Sequence, residues 1–258
     1  MSFDVRATDL RALNSMTKYP SIPTYHALDP RNGGLLDETV PFTGTVLATE
    51  KVDGTNARIV QLPDGGYLLG SREELLYAKG DLIGNPSQGI VENLKPLAER
   101  LPAVTGDLIR VLYLELYGGK IGGQAKQYST RGTVGRRLFD TALIDGYVPL
   151  LAAAPQEISA WREGGGQPWA DEDALRAIAA EAGVDLAPRL FTLDAAELPA
   201  GLEETQELLA TRLPATLVRL DDSGEGAAEG IVFRTLDRSA IAKARFQDYA
   251  RTLRRRTR

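Results

Sequence analysis

The strand-like runs of this chain come in clusters closed by turn signals. Helical stretches are set between the clusters, with no regular alternation of strand and helix. Residues 44–51 (GTVLATEK) and 56–62 (NARIVQL) are rich in β-branched and apolar side chains. Pro63-Asp64-Gly65-Gly66 then turns the chain, and residues 67–72 (YLLGSR) follow as a third strand. The pattern is a hairpin with one strand leading into it. Residues 108–117 (LIRVLYLELY) end in a double glycine, and residues 138–144 (LFDTALI) are closed by Asp145-Gly146. Strands return at 229–235 (EGIVFRT) and 239–245 (SAIAKAR). Clustered strands with segregated helices predict an α+β protein with largely antiparallel sheets.

The helical segments carry their own signals. Ile90, Leu94, Leu97 and Leu101 recur at helical intervals within 86–101, with Asn85 and Pro86 suited to N-cap and first-turn positions. Pro96 inside this pattern predicts a kink or two short helices. Residues 171–182 have Asp171 as N-cap, acids in the first turn and Gly183 after the last turn. Residues 202–211 form a further helical stretch, and Pro188 and the run PRLFTL lie between the two. Residues 118–123 (GGKIGG) lack the glycine spacing of either phosphate-binding loop and read as a loop after a strand.

Several chemistries are excluded by composition. The 258 residues include no cysteine, which removes disulfides, thiolate catalysis and cysteine-ligated metals. The single histidine, His26, excludes a two-histidine zinc site within one chain, and no GxSxG elbow accompanies it, so it reads as structural. No apolar run approaches the roughly 18–20 residues of a membrane span, and the N-terminus has no apolar signal core. The expectation is a soluble, cytoplasmic protein without a membrane partner. The net charge of −5 is unevenly spread: residues 161–210 carry −8, and residues 239–258 carry +6. A basic end suggests an anionic partner, although a solvated tail would carry the same charge.

The sharpest local feature is Glu50-Lys51-Val52-Asp53-Gly54-Thr55-Asn56. Lys51 ends a strand, Asp53-Gly54 turns, and Thr55-Asn56 opens the next strand. The period of two puts Lys51 and Asp53 on one face and Val52 on the other. A lysine amine becomes a nucleophile when desolvation or nearby cations make its deprotonation easier, whereas a carboxylate alone works against this. Catalysis here therefore requires a metal ion or other cations to offset Asp53. By itself the fragment also reads as an exposed lysine before an Asp-Gly turn.

The KVDGTN run resembles the nucleophile motif of the covalent nucleotidyltransferases, which include ATP-dependent DNA ligases, RNA ligases and mRNA capping enzymes. Its Thr-Asn ending is most similar to the RNA ligase 2 family. Other family motifs appear in order: Ser71-Arg72, the YLELYGG run with Glu115, Phe139-Asp140, Glu229-Gly230-Ile231-Val232, and Lys243-Ala244-Arg245. With KYPSI at 18–22 the resemblance covers roughly residues 17–250. Each member alone has an ordinary reading: Phe139 as core, Glu229 as a strand start, Lys243 and Arg245 as a solvated face. The ordered set is far more specific. Arg245 departs from the family's usual lysine; it keeps the charge and adds bidentate geometry.

The resemblance implies a nucleotidyltransferase fold of two antiparallel sheets with flanking helices and an ATP cleft. It implies ATP-dependent joining of 3′-hydroxyl and 5′-phosphate RNA ends, with Lys51 as nucleophile forming a lysyl-AMP. The nucleotide-binding set would be Glu50, Lys51, Asn56, Arg72, Glu115, Phe139, Lys243 and Arg245, with Glu115 on the ribose and Phe139 stacked on adenine. Glu229, and with it Asp53, would hold Mg2+ or Mn2+. The partner would be RNA ends or a nicked duplex, with a repair protein or a second copy as further partners. Residues 1–258 are expected to form one adenylyltransferase domain with a basic tail at 246–258 and no OB-fold. The alternatives are a DNA ligase or guanylyltransferase, against which Asn56 and Phe139-Asp140 speak. A degenerate end-binding module is another, against which Lys51 and Glu229 speak.

Overall fold

The structure, a computed structural model, describes residues 3–79, 81–82 and 89–256. In chain order the elements begin with α1 (Leu10–Met16), β1 (His26–Leu28), β2 (Leu35–Thr39), β3 (Thr45–Lys51) and β4 (Thr55–Gln61). Next come β5 (Tyr67–Ser71), β6 (Leu75–Ala78), β7 (Asp81–Leu82), α2 (Ile90–Ala98), β8 (Leu108–Gly118) and β9 (Val134–Asp145). Then follow α3 (Tyr147–Leu151), α4 (Pro155–Glu163), α5 (Glu172–Ala182) and β10 (Arg189–Asp194). The last are α6 (Leu202–Arg212), β11 (Gly230–Thr235), β12 (Ile241–Arg245) and α7 (Phe246–Arg256). The chain forms two compact units, which it threads in alternation.

The first unit comprises residues 1–21, 54–116 and 134–186. Its sheet has six strands in the order β7-β6-β5-β4-β8-β9. β4 and β5 form the predicted hairpin, with Gln61 opposite Tyr67. The turn works because Gly65 takes φ +78° and the Asp64 carboxylate accepts the Gly66 amide at 2.8 Å. Helix α2 packs on β5 and β4 through Ile90, Leu94 and Leu97, all fully buried. It is one helix and not two, with Pro96 in its last turn: the apolar stripe fixes the helix, and proline near its end removes a single hydrogen bond. The expected caps at Asn85 and Pro86 lie outside the described residues. Helix α5 starts and stops as its sequence dictates, with the Asp171 carboxylate accepting from the Ala174 amide at 2.8 Å and Gly183 left-handed at φ +59°.

The second unit comprises residues 22–53, 117–133 and 187–258. Its four-stranded antiparallel sheet has the order β10-β3-β11-β12, and β1 pairs with β2 beside it. Strand register sorts the side chains into two faces. Ala48, Ile231, Phe233, Ala242 and Ala244 share one face, which forms the core with Leu202 and Leu209 of α6 and Tyr249 of α7. Thr49, Lys51, Val232, Lys243 and Arg245 occupy the other. The stretch PRLFTL, which sequence alone left between helices, becomes β10 and pairs with β3. Residues 246–256, expected as a basic tail, are helix α7: Tyr249 and Thr252 are buried, and Thr252 Oγ1 accepts the Leu35 amide at 3.0 Å.

Candidate active site

Lys51 stands at the last position of β3, opposite Gly230 of β11. Gly230 is in turn opposite Arg245 of β12. A side chain at residue 230 would collide with β12, since its Cβ would lie 2.1 Å from the Ala244 carbonyl oxygen. Glycine therefore lets three strands close up with Lys51 and Arg245 flanking a position that has no side chain. Lys243, two residues before Arg245, presents to the same face. The Lys51 ammonium donates to Glu229 Oε2 at 2.5 Å; their side chains are 25% and 12% exposed. Burial raises the Glu229 carboxyl above its ordinary value. Lys51 and Arg245 pull it back down, while Asp53 pushes it further up. Arg245 itself donates to Asp248 Oδ2 at 2.7 Å, and Asp248 also accepts from Arg251 at 3.2 Å.

The residues beside Lys51 point elsewhere. Glu50 lies on the core face and is 2% exposed; its carboxylate accepts the Leu217 amide at 2.9 Å and the Thr216 hydroxyl. Val52 packs with Tyr117, Tyr128 and Val218. The Asp53 amide donates to the Tyr128 hydroxyl at 2.6 Å. Tyr128 is 1% exposed, and burial raises its phenol well above the usual value, so it is neutral. No sequence signal marked Tyr128, Thr216 or Leu217. They sit in irregular segments without periodicity.

The other four expected site residues belong to the first unit. Asn56 opens β4 directly opposite Glu115 on β8. Glu115 Oε1 accepts the Gly54 amide at 3.0 Å, which holds the turn leading into Asn56. The Asn56 Oδ1 atom is buried without a hydrogen-bond partner. Arg72, following β5, is exposed and donates to Ser21 Oγ at 2.8 Å. Phe139 on β9 lies edge-on to Tyr19 at 5.0 Å, and the Tyr19 hydroxyl donates to the buried Asp140 at 2.9 Å. Tyr113 and Tyr117 are buried.

Among the described residues no group of three or more carboxylates or histidines gathers into a metal site. A hard cation at Glu229 and Asp53 would then keep most of its ligands from water and phosphate, the usual habit of Mg2+. The orphaned Asn56 Oδ1 fits a nucleotide in the same sense: it is an acceptor in want of a donor. Among the described residues no helix is long and apolar enough to cross a membrane.

The α+β architecture, antiparallel sheets flanked by helices, is that of a nucleotidyltransferase-type fold. An apo form of a Naegleria gruberi RNA ligase mutant matches with a TM-score of 0.58 at 15% identity, over 94% of this chain and 59% of that one. The same ligase with pyrophosphate matches at 0.54 and 15% identity, and a mutant with ATP and Mn at 0.52 and 15% identity. Each of these two comparisons spans 83% of this chain and 52% of the other. The chain thus spans under two thirds of the length of these ligases. No curated protein matches it in sequence. The sequence model described as RNA ligase matches residues 44–246, most of the chain, and the chain belongs to that family.

Proposed function

We propose that this chain catalyses ATP-dependent RNA ligation, joining a 3′-hydroxyl to a 5′-phosphate through an AMP bonded to Lys51. The observation that carries this reading is the placement of Lys51 Nζ on Glu229, on the sheet face that also carries Lys243 and Arg245. In the first step Lys51 Nζ bonds to the α-phosphorus of ATP, the bond from that phosphorus to the β-phosphate oxygen breaks, and pyrophosphate leaves as the amine loses its proton. An oxygen of a 5′-phosphate then bonds to the α-phosphorus, the phosphorus–nitrogen bond to Lys51 breaks, and the amine regains a proton. The 3′-hydroxyl oxygen attacks the 5′-phosphate phosphorus, loses its proton, and AMP departs as the phosphoanhydride bond breaks.

Nucleotidyl transfer of this kind depends on positioning and charge neutralisation. Lys243 and Arg245 bring fixed positive charge to the face of the nucleophile, and Arg72 is carried into the nucleotide-binding set by the motif resemblance alone. Asn56 and Glu115 hold the nucleoside, and Phe139 stacks on its base. Glu50 anchors the strand just before the nucleophile. A divalent cation held by Glu229, with Asp53 through water, would neutralise that carboxylate and ease the loss of the Lys51 proton. Support for ATP and a divalent cation comes from the family membership and from the Naegleria ligase structures with ATP and Mn or with pyrophosphate; the residue roles follow from the motif resemblance. RNA ends as the partner follow from the same membership.

Intact-mass measurement after incubation with ATP and Mn2+ tests the reading. The expected result is a gain of one AMP, mapped to the peptide containing Lys51 and absent in Lys51→Ala. A wild-type chain that never acquires the adduct, or a Lys51→Ala chain that still does, overturns it.

A further inference from the structure

The turn that follows Lys51 is held by a residue outside every motif. Tyr128 reaches it from the segment between β8 and β9. The tyrosine hydroxyl accepts the Asp53 amide at 2.6 Å, two residues from the nucleophile. The ring is locked edge-on against Tyr117 at 4.7 Å and packs with Val52 and Val218. The backbone around it is tied to the connection that leads from α6 to β11. The Leu220 amide donates to the Tyr128 carbonyl at 2.9 Å, Glu225 to Lys126 at 3.0 Å, and Gly226 to Gln127 at 3.0 Å. Asp221 accepts from Ser129 Oγ at 2.7 Å and also binds Ser223. These two serines pull its carboxyl down to about 2, so the tie stays ionised at ordinary pH. Gly118 has room only for hydrogen, because a Cβ there would lie 2.5 Å from the Thr133 carbonyl and 2.6 Å from Leu220.

The same connection grips the other flank of the nucleophile. Its residues Thr216 and Leu217 bind the Glu50 carboxylate, and the Thr216 amide donates to the Gly226 carbonyl at 2.8 Å. The connection then runs directly into Glu229, which binds Lys51 Nζ. Lys51 is thus braced at residue 50, at residue 53 and at its own amine by one stretch of chain and the tyrosine docked on it.

From this arrangement we propose that Tyr128 is a positioning residue for the adenylylation of Lys51. The inference rests on the function proposed above and deepens it. Tyr128 touches no reacting atom; it fixes the Val52–Asp53 turn so that the amine is presented along one line toward the α-phosphorus. Small displacements of a nucleophile are costly because attack needs both distance and alignment.

The test is Tyr128→Phe, which keeps the ring, its packing and its burial while removing only the acceptor for the Asp53 amide. Single-turnover formation of the Lys51 adduct is measured against ATP concentration with Mn2+, alongside the melting temperature. The rate at saturating ATP is expected to fall by roughly ten- to a hundredfold, with the ATP concentration for half-maximal rate within about twofold of wild type. A merely structural role would move both parameters together with a large loss of Tm, and that outcome overturns the proposal. So does an unchanged saturating rate. If the wild-type chain forms the adduct while Tyr128→Phe matches it, this inference alone fails. If the wild-type chain forms none, the ligase reading fails with it.

Discussion

Two neighbouring carboxylates near Lys51 have different work. Glu50 is fully enclosed and supplies the acceptor for the Leu217 amide and the Thr216 hydroxyl. Glu50→Ala leaves the buried Thr216 hydroxyl, and the Leu217 amide, without that acceptor and is expected to cost about 1–3 kcal/mol of stability, read as a lower urea midpoint. Glu229 is held on the functional face, and burial raises its proton affinity. A cation binds the ionised carboxylate only, so affinity for Mn2+ falls as the pH drops through the raised Glu229 value. In a pH titration of Mn2+ binding to the nucleotide-free chain, the midpoint is expected above the ordinary glutamate value of about 4.3. Glu229→Gln should abolish that pH dependence together with most of the binding. A midpoint at or below the ordinary value would remove Glu229 from the metal site.

Among the elements, α7 combines a structural and an electrostatic role. His26 of β1 is fully buried, with Nδ1 2.8 Å from the Tyr249 hydroxyl and Nε2 3.0 Å from the Ala200 carbonyl. The carbonyl can only accept, so Nε2 carries the proton and Nδ1 accepts from the tyrosine. Burial lowers the imidazole below its ordinary value, opposed by the Ala200 carbonyl and Asp37 and assisted by Arg256. The fold therefore prefers neutral histidine. This contribution is complete above the unfolded value of about 6.5 and is lost as the pH falls from there toward the lower folded value. Thermal melts between pH 7.5 and 5.5 should show a declining Tm that flattens in His26→Asn. On the outer side of α7, Arg251 donates to the Gly33 carbonyl at 2.6 Å and Arg255 to the Asn32 carbonyl at 3.1 Å. A carbonyl does not cancel charge, so the exposed Arg255 keeps a positive surface. If it meets phosphates, each arginine changed to alanine should flatten the salt dependence of RNA binding by about 0.7–0.9 in log–log slope. An unchanged slope makes α7 a bystander.

For the whole molecule, the net charge of −5 is a poor guide to an anionic ligand, because the positive charge is concentrated where the sheet face and α7 place it. Binding of ATP with Mn2+ to the native state alone should stabilise it by about 2.7 kcal/mol at a hundred times the dissociation constant. For a chain of this size that is a rise in Tm of roughly 5–10 °C. Lys51→Ala should keep much of that rise while gaining no mass, since binding and covalent transfer are separate steps. A variant that loses the shift altogether would make Lys51 a binding residue first and a nucleophile second.

Local sequence determined the strands from 44 to 72, the long runs at 108–117 and 138–144, and helix α5 with both its caps. Those features rest on a period of two or 3.6, on turn chemistry and on capping, all of which act over a few residues. The ordered motifs were legible by their resemblance to a known family, not by period or turn chemistry. Tertiary structure alone decided that Tyr128 would hold Asp53, that Thr216 and Leu217 would take up Glu50, that PRLFTL would become a strand, and that the basic end would dock as a helix on Leu35. Each of these depends on a donor and an acceptor, or on apolar surfaces, that lie far apart along the chain. Which of them meet is settled by how the sheets and helices close, not by any neighbour in sequence.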